Sequence, residues 1–421
     1  MNAQSLLFDR RRFLQLSGTS LLSAGFLAAS NLTYGSTAEK KSVAGIVTVY
    51  HKNSHADVLI GKILDGWKQD GGVGPALRLA ALYVEQFPAD ELSRALSEKH
   101  GFPICRTIDE TLTLGGKQVA VDGVISIGEH GDYPWNEKEQ HLYPRRRFFK
   151  EITDVFERCQ QVVPVFNDKH LGPVWEDARW MYDRARELKI SFMAGSSLPV
   201  SFRKPDVELE MHSKAEAALG IGYSGLDVYG FHTLEFLQCF LERRKGAEHG
   251  VKWVQSLPGT DLKKLIAEKV IRKDLLDAAL LVTPTASDRG VLEVDPTEFT
   301  IFLIQYTDDL LVPVLMLDGY AVGISAAVKV PGAEPIAAYA EERDEPFPHF
   351  ANLLKGIERM IHTGKPVYPV ERTLLTAGIL DRLLTSRVKE GKRLETPELA
   401  IEYEPVEYPH APHIDLEKPP A

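Results

Sequence analysis

Along the chain, short apolar and β-branched runs give way repeatedly to stretches with helical spacing. Ala44–Tyr50 and Leu77–Val84 read as buried strands. Between them Val58, Ile60, Ile63, Leu64 and Trp67 mark a helix over Ala56–Trp67 that Ser54 caps. Pro88–His100 is expected to be helical, Val119–Ile127 a strand, Arg147–Arg158 a helix and Val162–Phe166 a strand. A long amphipathic helix, Val174–Leu188, then precedes the strand Ser191–Ala194. Strands alternating with helices of roughly ten to fifteen residues predict a parallel α/β sheet. In such a sheet ligands sit at the carboxyl ends of the strands. Beyond residue 200 the rhythm changes. A long helix, Asp227–Arg244, is followed by strand-like runs at Phe299–Tyr306, Leu311–Leu317 and Ala321–Lys329 and helices at His349–His362 and Arg372–Ser386. This half predicts an α+β unit with a mainly antiparallel open sheet.

At roughly 150 residues per domain, 421 residues allow two or three domains. The pattern favours two, at 43–200 and 201–410, behind a separate N-terminal segment. Residues 1–35 carry Arg10-Arg11-Arg12-Phe13-Leu14, an apolar stretch dotted with Ser and Gly, and the small residues Ala28-Ala29-Ser30. The order resembles a twin-arginine leader, which implies export of a folded protein to the periplasm. Three cysteines, Cys105, Cys159 and Cys239, are too few for a disulfide framework and agree with folding in a reducing compartment. The whole chain has 49 Lys+Arg and 59 Asp+Glu, a formal charge of -10. That acidic balance argues against nucleic acid or an anionic membrane as the partner.

Several segments carry a family likeness. Val165-Phe166-Asn167-Asp168-Lys169-His170-Leu171 closes a strand before a long helix, and Gly230-Phe231-His232-Thr233-Leu234-Glu235 opens another helix. Ser93–Thr111 and Ile361-His362-Thr363-Gly364-Lys365-Pro366 follow in matching order. Together they resemble the Gfo/Idh/MocA family, the group of glucose-fructose oxidoreductase and inositol dehydrogenase. The resemblance implies a Rossmann-like first domain, a carbohydrate or polyol substrate, NAD or NADP as cofactor, and a homo-oligomer paired through the open face of the second sheet. It also implies that Lys169 and His232 face each other across the substrate as acid/base groups. Asp227, one place before the position where the family has its relay aspartate, is the third catalytic candidate, as a replacement for that relay.

One departure matters. After the first strand the family has Gly-x-Gly-x-x-Gly, whose backbone meets the pyrophosphate at a helix N-terminus. Here the turn is Tyr50-His51-Lys52-Asn53-Ser54-His55-Ala56-Asp57, without a glycine. His51, Lys52, Asn53, Ser54 and His55 are therefore the candidate phosphate contacts in an altered pose. Glu85, at the end of the second strand, is the candidate for the ribose hydroxyls. Glu129 and His130, after the strand at 119–127, fall where the family contacts nicotinamide or substrate. Imidazoles and carboxylates at neighbouring strand ends leave an alternative open: a metal-dependent or cofactor-free lyase, isomerase or hydrolase on the same fold that uses His51, Glu129 and His130, with a divalent metal as the ion they would hold. A carbohydrate-binding protein without turnover is a third reading.

Overall fold

A computed structural model describes residues 39–420. The leader expected at residues 1–35 lies outside the described residues. The first half of the described chain builds a parallel sheet from β1 (Lys41–Val47), β2 (Leu77–Val84), β3 (Ile104–Cys105), β4 (Gly123–Ile127), β5 (Val165–Asp168) and β6 (Phe192–Gly195). Its strand order is β3-β2-β1-β4-β5-β6. The crossovers are α1 (His55–Asp65), α2 (Ser93–His100), α3 (Ile108–Thr113), α4 (Arg145–Cys159) and α5 (Trp175–Glu187). β1, β4, β5 and β6 are almost wholly buried, as strands covered by helices on both faces must be.

The second sheet takes β7 (Phe202–Lys204), β8 (Ala217–Gly222), β9 (Val251–Pro258), β10 (Phe299–Tyr306), β11 (Leu311–Leu317), β12 (Ser325–Lys329), β13 (Ile336–Glu341) and β14 (Leu394–Glu395). Its order is β14-β9-β10-β11-β8-β12-β13-β7, and every pairing is antiparallel except β8 with β11. The helices of this half are α6 (Val228–Leu241), α7 (Leu262–Ala267), α8 (Lys273–Val282), α9 (Pro348–Thr363) and α10 (Val370–Val388). The α/β class and the two sheet types are as the sequence pattern predicts.

Side chains on the second sheet alternate between two cores. Phe302, Ile304, Val312 and Val314 share a cluster with Phe231, Phe236 and Leu380 of α6 and α10. Ile301, Leu303, Leu315 and Ile221 pack instead against Leu262, Leu265, Leu275 and Leu276 of α7 and α8. The face that the family resemblance leaves open for pairing is thus covered by the chain's own helices, whose apolar stripes need a surface on which to be buried. The first core joins the sheets, because Phe149, Phe192 and Trp175 of the parallel half belong to it too.

Element boundaries shift where side chains take over backbone partners. The strand expected from Val119 begins its ladder only at Gly123, because Asp122 accepts from Ser42 N at 2.8 Å and closes the sheet there. The helix expected from Pro88 starts at Ser93. Residues 88–92 form a turn whose Leu92 N donates to Tyr50 O at 2.7 Å, fastening it to the chain after β1. The three cysteines are buried thiols. No helix among the described residues is long and apolar enough to cross a membrane.

Candidate active site

The ends of β1, β4 and β5 converge with the start of α6 and the β13–α9 connection around a cavity of about 600 Å3. Asn53 reaches it from the turn before α1, His55 from the start of α1, Glu129 and His130 from the end of β4, Lys169 from the end of β5 and His232 from α6. Tyr223, Tyr229, Glu342, Arg343 and Phe350 close the other side. Lys169, His130 and Asn53 hold left-handed backbone, with φ of 67°, 67° and 63°. Such conformations cost of order 1 kcal/mol or more for a residue with a Cβ, and they collect at functional sites. At Lys169 the conformation is held by its N–H donating to Gly195 O at 3.1 Å.

Lys169 is 4% exposed, and its ammonium donates to Nε2 of His232. Burial first, then the charge of Lys169, keeps the His232 imidazole well below its ordinary pKa. The ring is therefore neutral with its lone pair on Nε2. Its Nδ1, buried, has no hydrogen-bond partner among the described residues. Glu129 Oε1 lies 3.9 Å from Lys169 Nζ, and its Oε2 accepts from Arg145 at 2.5 Å. Burial works to raise the Glu129 carboxyl, but Lys169 and Arg145 outweigh it and hold the group well below the usual carboxylate range. Burial lowers His130 to about 4 against the pull of Glu129. His55 Nδ1 donates to Asp168 Oδ2 at 2.7 Å, and its ring packs edge-on against Phe350 at 4.9 Å. The result is a polar floor of the Lys169 ammonium, the Glu129 carboxylate and the neutral imidazoles of His130 and His232, with the His55–Asp168 pair beside them. It suits hydroxyl groups and a proton in transit.

Lys169 and His232 are brought together as the resemblance implies. Asp227 is not. Its carboxylate accepts from His141 N at 3.1 Å, lies 4.0 Å from His170 Nε2, and has neither a hydrogen bond nor an ion pair with His232. It stands at the N-cap position of α6, five residues before the histidine, without a side-chain capping bond, and points to the loop after β4, where burial raises it to about 6. The expected metal ligands also stand apart. His51 and His55 lie 5.3 Å and 5.6 Å from His130, ring centre to ring centre, while Glu129 is committed to Arg145 and His55 to Asp168. These residues bring no three ligand atoms together, and nothing in their geometry supports a metal there.

Arg145 is the functional residue that sequence reading missed. Within Arg145-Arg146-Arg147 all three look like a solvated helix start, yet Arg145 is 1% exposed beneath Glu129 and His170. Gly128 lies directly under its Cγ, so a Cβ there would come within 2.8 Å of it. That small residue before Glu129 was the available signal.

The dinucleotide expected from the resemblance needs a free helix N-terminus and an open crevice over β1 and β2. Neither is present. Ser54 Oγ accepts from Asp57 N at 3.3 Å, and the Asp57 carboxylate accepts from Asn53 N at 2.9 Å. A carboxylate of the chain thus stands in the first turn of α1, where a pyrophosphate would sit. Lys52 is engaged by Glu345 and lies 3.8 Å from Asp57. His51 is turned toward its own chain, its Nδ1 3.1 Å from Lys52 O.

Over the adenosine half, the loop after β4 folds across the end of β2. Asp132 N donates to Gln86 Oε1 at 2.9 Å and Gln86 Nε2 to Asp132 O at 3.0 Å. Glu85, the candidate ribose acceptor, instead accepts from Tyr133 at 2.8 Å and from Arg147. Gly131, at φ 99°, lies so close to Val49 and Gln86 that a Cβ would be 3.3 Å and 3.0 Å from them. The residues present do not fit the dinucleotide in the pose of the glycine-rich fingerprint.

No family model matches the chain, and no curated protein matches it. Solved structures do. GenD2 from gentamicin A biosynthesis, in complex with NAD, is 12% identical over 86% of this chain and 98% of its own, with a TM-score of 0.55. A scyllo-inositol dehydrogenase from Lactobacillus casei, with bound NAD(H) and scyllo-inositol, is 10% identical over 85% and 99%, with a TM-score of 0.51. The fold is that of the inositol dehydrogenases. A myo-inositol dehydrogenase from Corynebacterium glutamicum adds a third case at 12% identity over 85% and 98%, with a TM-score of 0.51. At such identities the likeness establishes the fold.

Proposed function

We propose that the chain is an enzyme of the sugar and polyol oxidoreductase type, acting on a polyhydroxylated substrate in the cavity above Lys169 and His232. The observation that carries this reading is the buried contact of the Lys169 ammonium with the neutral His232 imidazole, on the cavity wall at the end of β5. In the proposed step a substrate hydroxyl displaces His232 from the ammonium. Lys169 stabilises the developing alkoxide and His232 Nε2 takes the proton. Glu129 lies 3.9 Å from the Lys169 ammonium, and Arg145 and Lys169 together keep Glu129 ionised. The solved structures that bind inositol or NAD support the substrate class. Their bound nucleotide has no equivalent open crevice here, so no hydride step is assigned.

The filled crevice favours a second reading: a lyase or isomerase that uses the same pair on a carbon acid beside a carbonyl, without a dinucleotide. One experiment separates the two. A panel of inositols, hexoses and their keto forms is incubated in D2O with and without NAD(P) and followed by NMR. Turnover only with nucleotide supports the oxidoreductase; deuterium entry or elimination without it supports the second reading. Loss of neither activity in Lys169→Met would refute both. We further propose export by the twin-arginine route, which the pair Arg10→Lys, Arg11→Lys is expected to block in a fractionation assay.

A further inference from the structure

Outside the cavity lining, the C-terminal segment beyond Leu399 returns to the start of the second sheet. A turn in which His413 N donates to His410 O at 2.9 Å presents both imidazoles to the residue that follows β7 and Pro205. His410 Nε2 lies 2.7 Å from Asp206 Oδ1 and His413 Nε2 lies 2.9 Å from Asp206 Oδ2. The rings stand at 88° with centres 5.4 Å apart, and the ligand atoms of the three residues all lie within 4.8 Å of one another. Among the described residues Asp206 makes no ion pair with a lysine or arginine; its charge faces only these histidines.

The second layer fixes how His410 is used. Its Nδ1 faces Glu208 Oε2 at 3.6 Å, and Glu208 is itself held by Arg243 at 3.2 Å. A carboxylate on the far side of an imidazole is the kind of partner that orients histidine ligands on metals, and with Nε2 on an ion the Nδ1–H of His410 would face Glu208. Without an ion each Nε2–H donates to an oxygen of Asp206; a divalent cation that displaces these two protons meets three ligand atoms already within 4.8 Å of one another. Two imidazole nitrogens and one carboxylate oxygen form a borderline N2O set. It suits Zn2+ and its neighbours among the divalent first-row metals rather than Mg2+ or Ca2+. His413 and Asp206 have side chains 57% and 43% exposed, which leaves room for water as a fourth ligand, while His410 is buried.

We propose that Asp206, His410 and His413 bind one Zn2+-class divalent ion. The ion clips the C-terminal segment to the chain leaving β7. The clip reinforces the neighbouring contact in which Ala411 N donates to Val200 O at 3.2 Å. None of the three ligands lines the cavity, so the site stands apart from the catalytic reading.

The test uses the full, untagged chain stripped with a chelator. Titration with Zn2+ by calorimetry in a non-coordinating buffer is expected to show one ion per chain at micromolar or tighter affinity. Co2+ should give the visible absorption of a four- or five-coordinate ion. His413→Ala, at an exposed position, should fold normally by circular dichroism and weaken binding at least tenfold, and Asp206→Asn likewise. The ion should raise the unfolding temperature of the wild type and of neither variant. Binding weaker than about 100 µM would overturn the site and leave two histidines hydrogen-bonded to a carboxylate. Binding that both variants retain would overturn it as well.

Discussion

Replacing Arg145 by Met removes a cation from under Glu129 while nearly preserving the length of the side chain. Both partners are buried, at 1% and 6% side-chain exposure, so the abandoned carboxylate gains no water. Breaking a buried pair by removing one partner costs about 3–5 kcal/mol. Lys169 remains at 3.9 Å, and at an effective dielectric near 20 that contact retains roughly 4 kcal/mol of attraction. The expected loss is therefore about 3 kcal/mol, a large share of a typical total of about 5–15 kcal/mol. Urea unfolding at pH 7, followed by circular dichroism and tryptophan fluorescence with coincident transitions, measures it. The double variant Arg145→Met, Glu129→Gln should recover most of the loss, because no uncompensated charge is left. The pH dependence has a defined sign. Glu129 has a depressed folded-state pKa, so its stabilisation is present above the unfolded value near 4.3 and is lost as pH falls toward the folded value. In Arg145→Met the folded value rises, so that loss is smaller and is complete at a higher pH. A single-variant loss below about 1 kcal/mol, or a double variant no better than the single, would refute the assignment of Arg145 as the counter-ion.

Lys169→Met should lower turnover by about 10²–10⁴ with the fold intact, read as kcat on whichever substrate the panel identifies. Asp227 has a raised folded-state value of about 6, so its protonated form is favoured by folding and that contribution is lost as pH rises through 6. Asp227→Asn should therefore gain stability on the wild type between pH 4 and 6, reaching roughly 2–3 kcal/mol by pH 8, with no gain if the carboxylate is solvated. His130, lowered to about 4, favours the native state above the unfolded value near 6.5, and this contribution is lost as pH falls through 4. His130→Gln should flatten the stability profile in that window, which acid titration of the unfolding midpoint checks. Equilibrium titration with NADH, read by fluorescence, separates the two readings: saturable binding at micromolar concentration supports the oxidoreductase in a pose other than that of the glycine-rich fingerprint, and no binding below about 1 mM supports the reading without a dinucleotide.

The parallel half was legible because its strands are unbroken runs such as Val43–Val49, and its register follows from burial on both faces. β8 (Ala-Ala-Leu-Gly-Ile-Gly) and β13 (Ile-Ala-Ala-Tyr-Ala-Glu) escaped, since Ala and Gly carry little strand preference and only their neighbours make them strands. Lys169 and His232 were legible through order and spacing. Arg145 was not, because packing alone decides which of three adjacent arginines is buried. The missing glycines at 50–57 were visible in the sequence, but what fills the crevice was not. Gln86 meets Asp132, and Glu85 meets Tyr133, across more than forty residues of chain. No local pattern encodes such pairings. The relay expected of Asp227 failed for a similar reason: one residue of offset at a helix start turns a side chain by about 100°, here toward His141.

The central claim is that Lys169 and His232 form the proton-transferring pair of a carbohydrate cavity. NMR-monitored turnover of the sugar and polyol panel, with the wild type beside Lys169→Met and His232→Gln, tests it most directly. The account predicts that at least one polyhydroxylated compound is transformed by the wild type and that both variants lose at least a hundredfold in kcat while keeping the wild-type circular dichroism spectrum. Full turnover in either variant would contradict it.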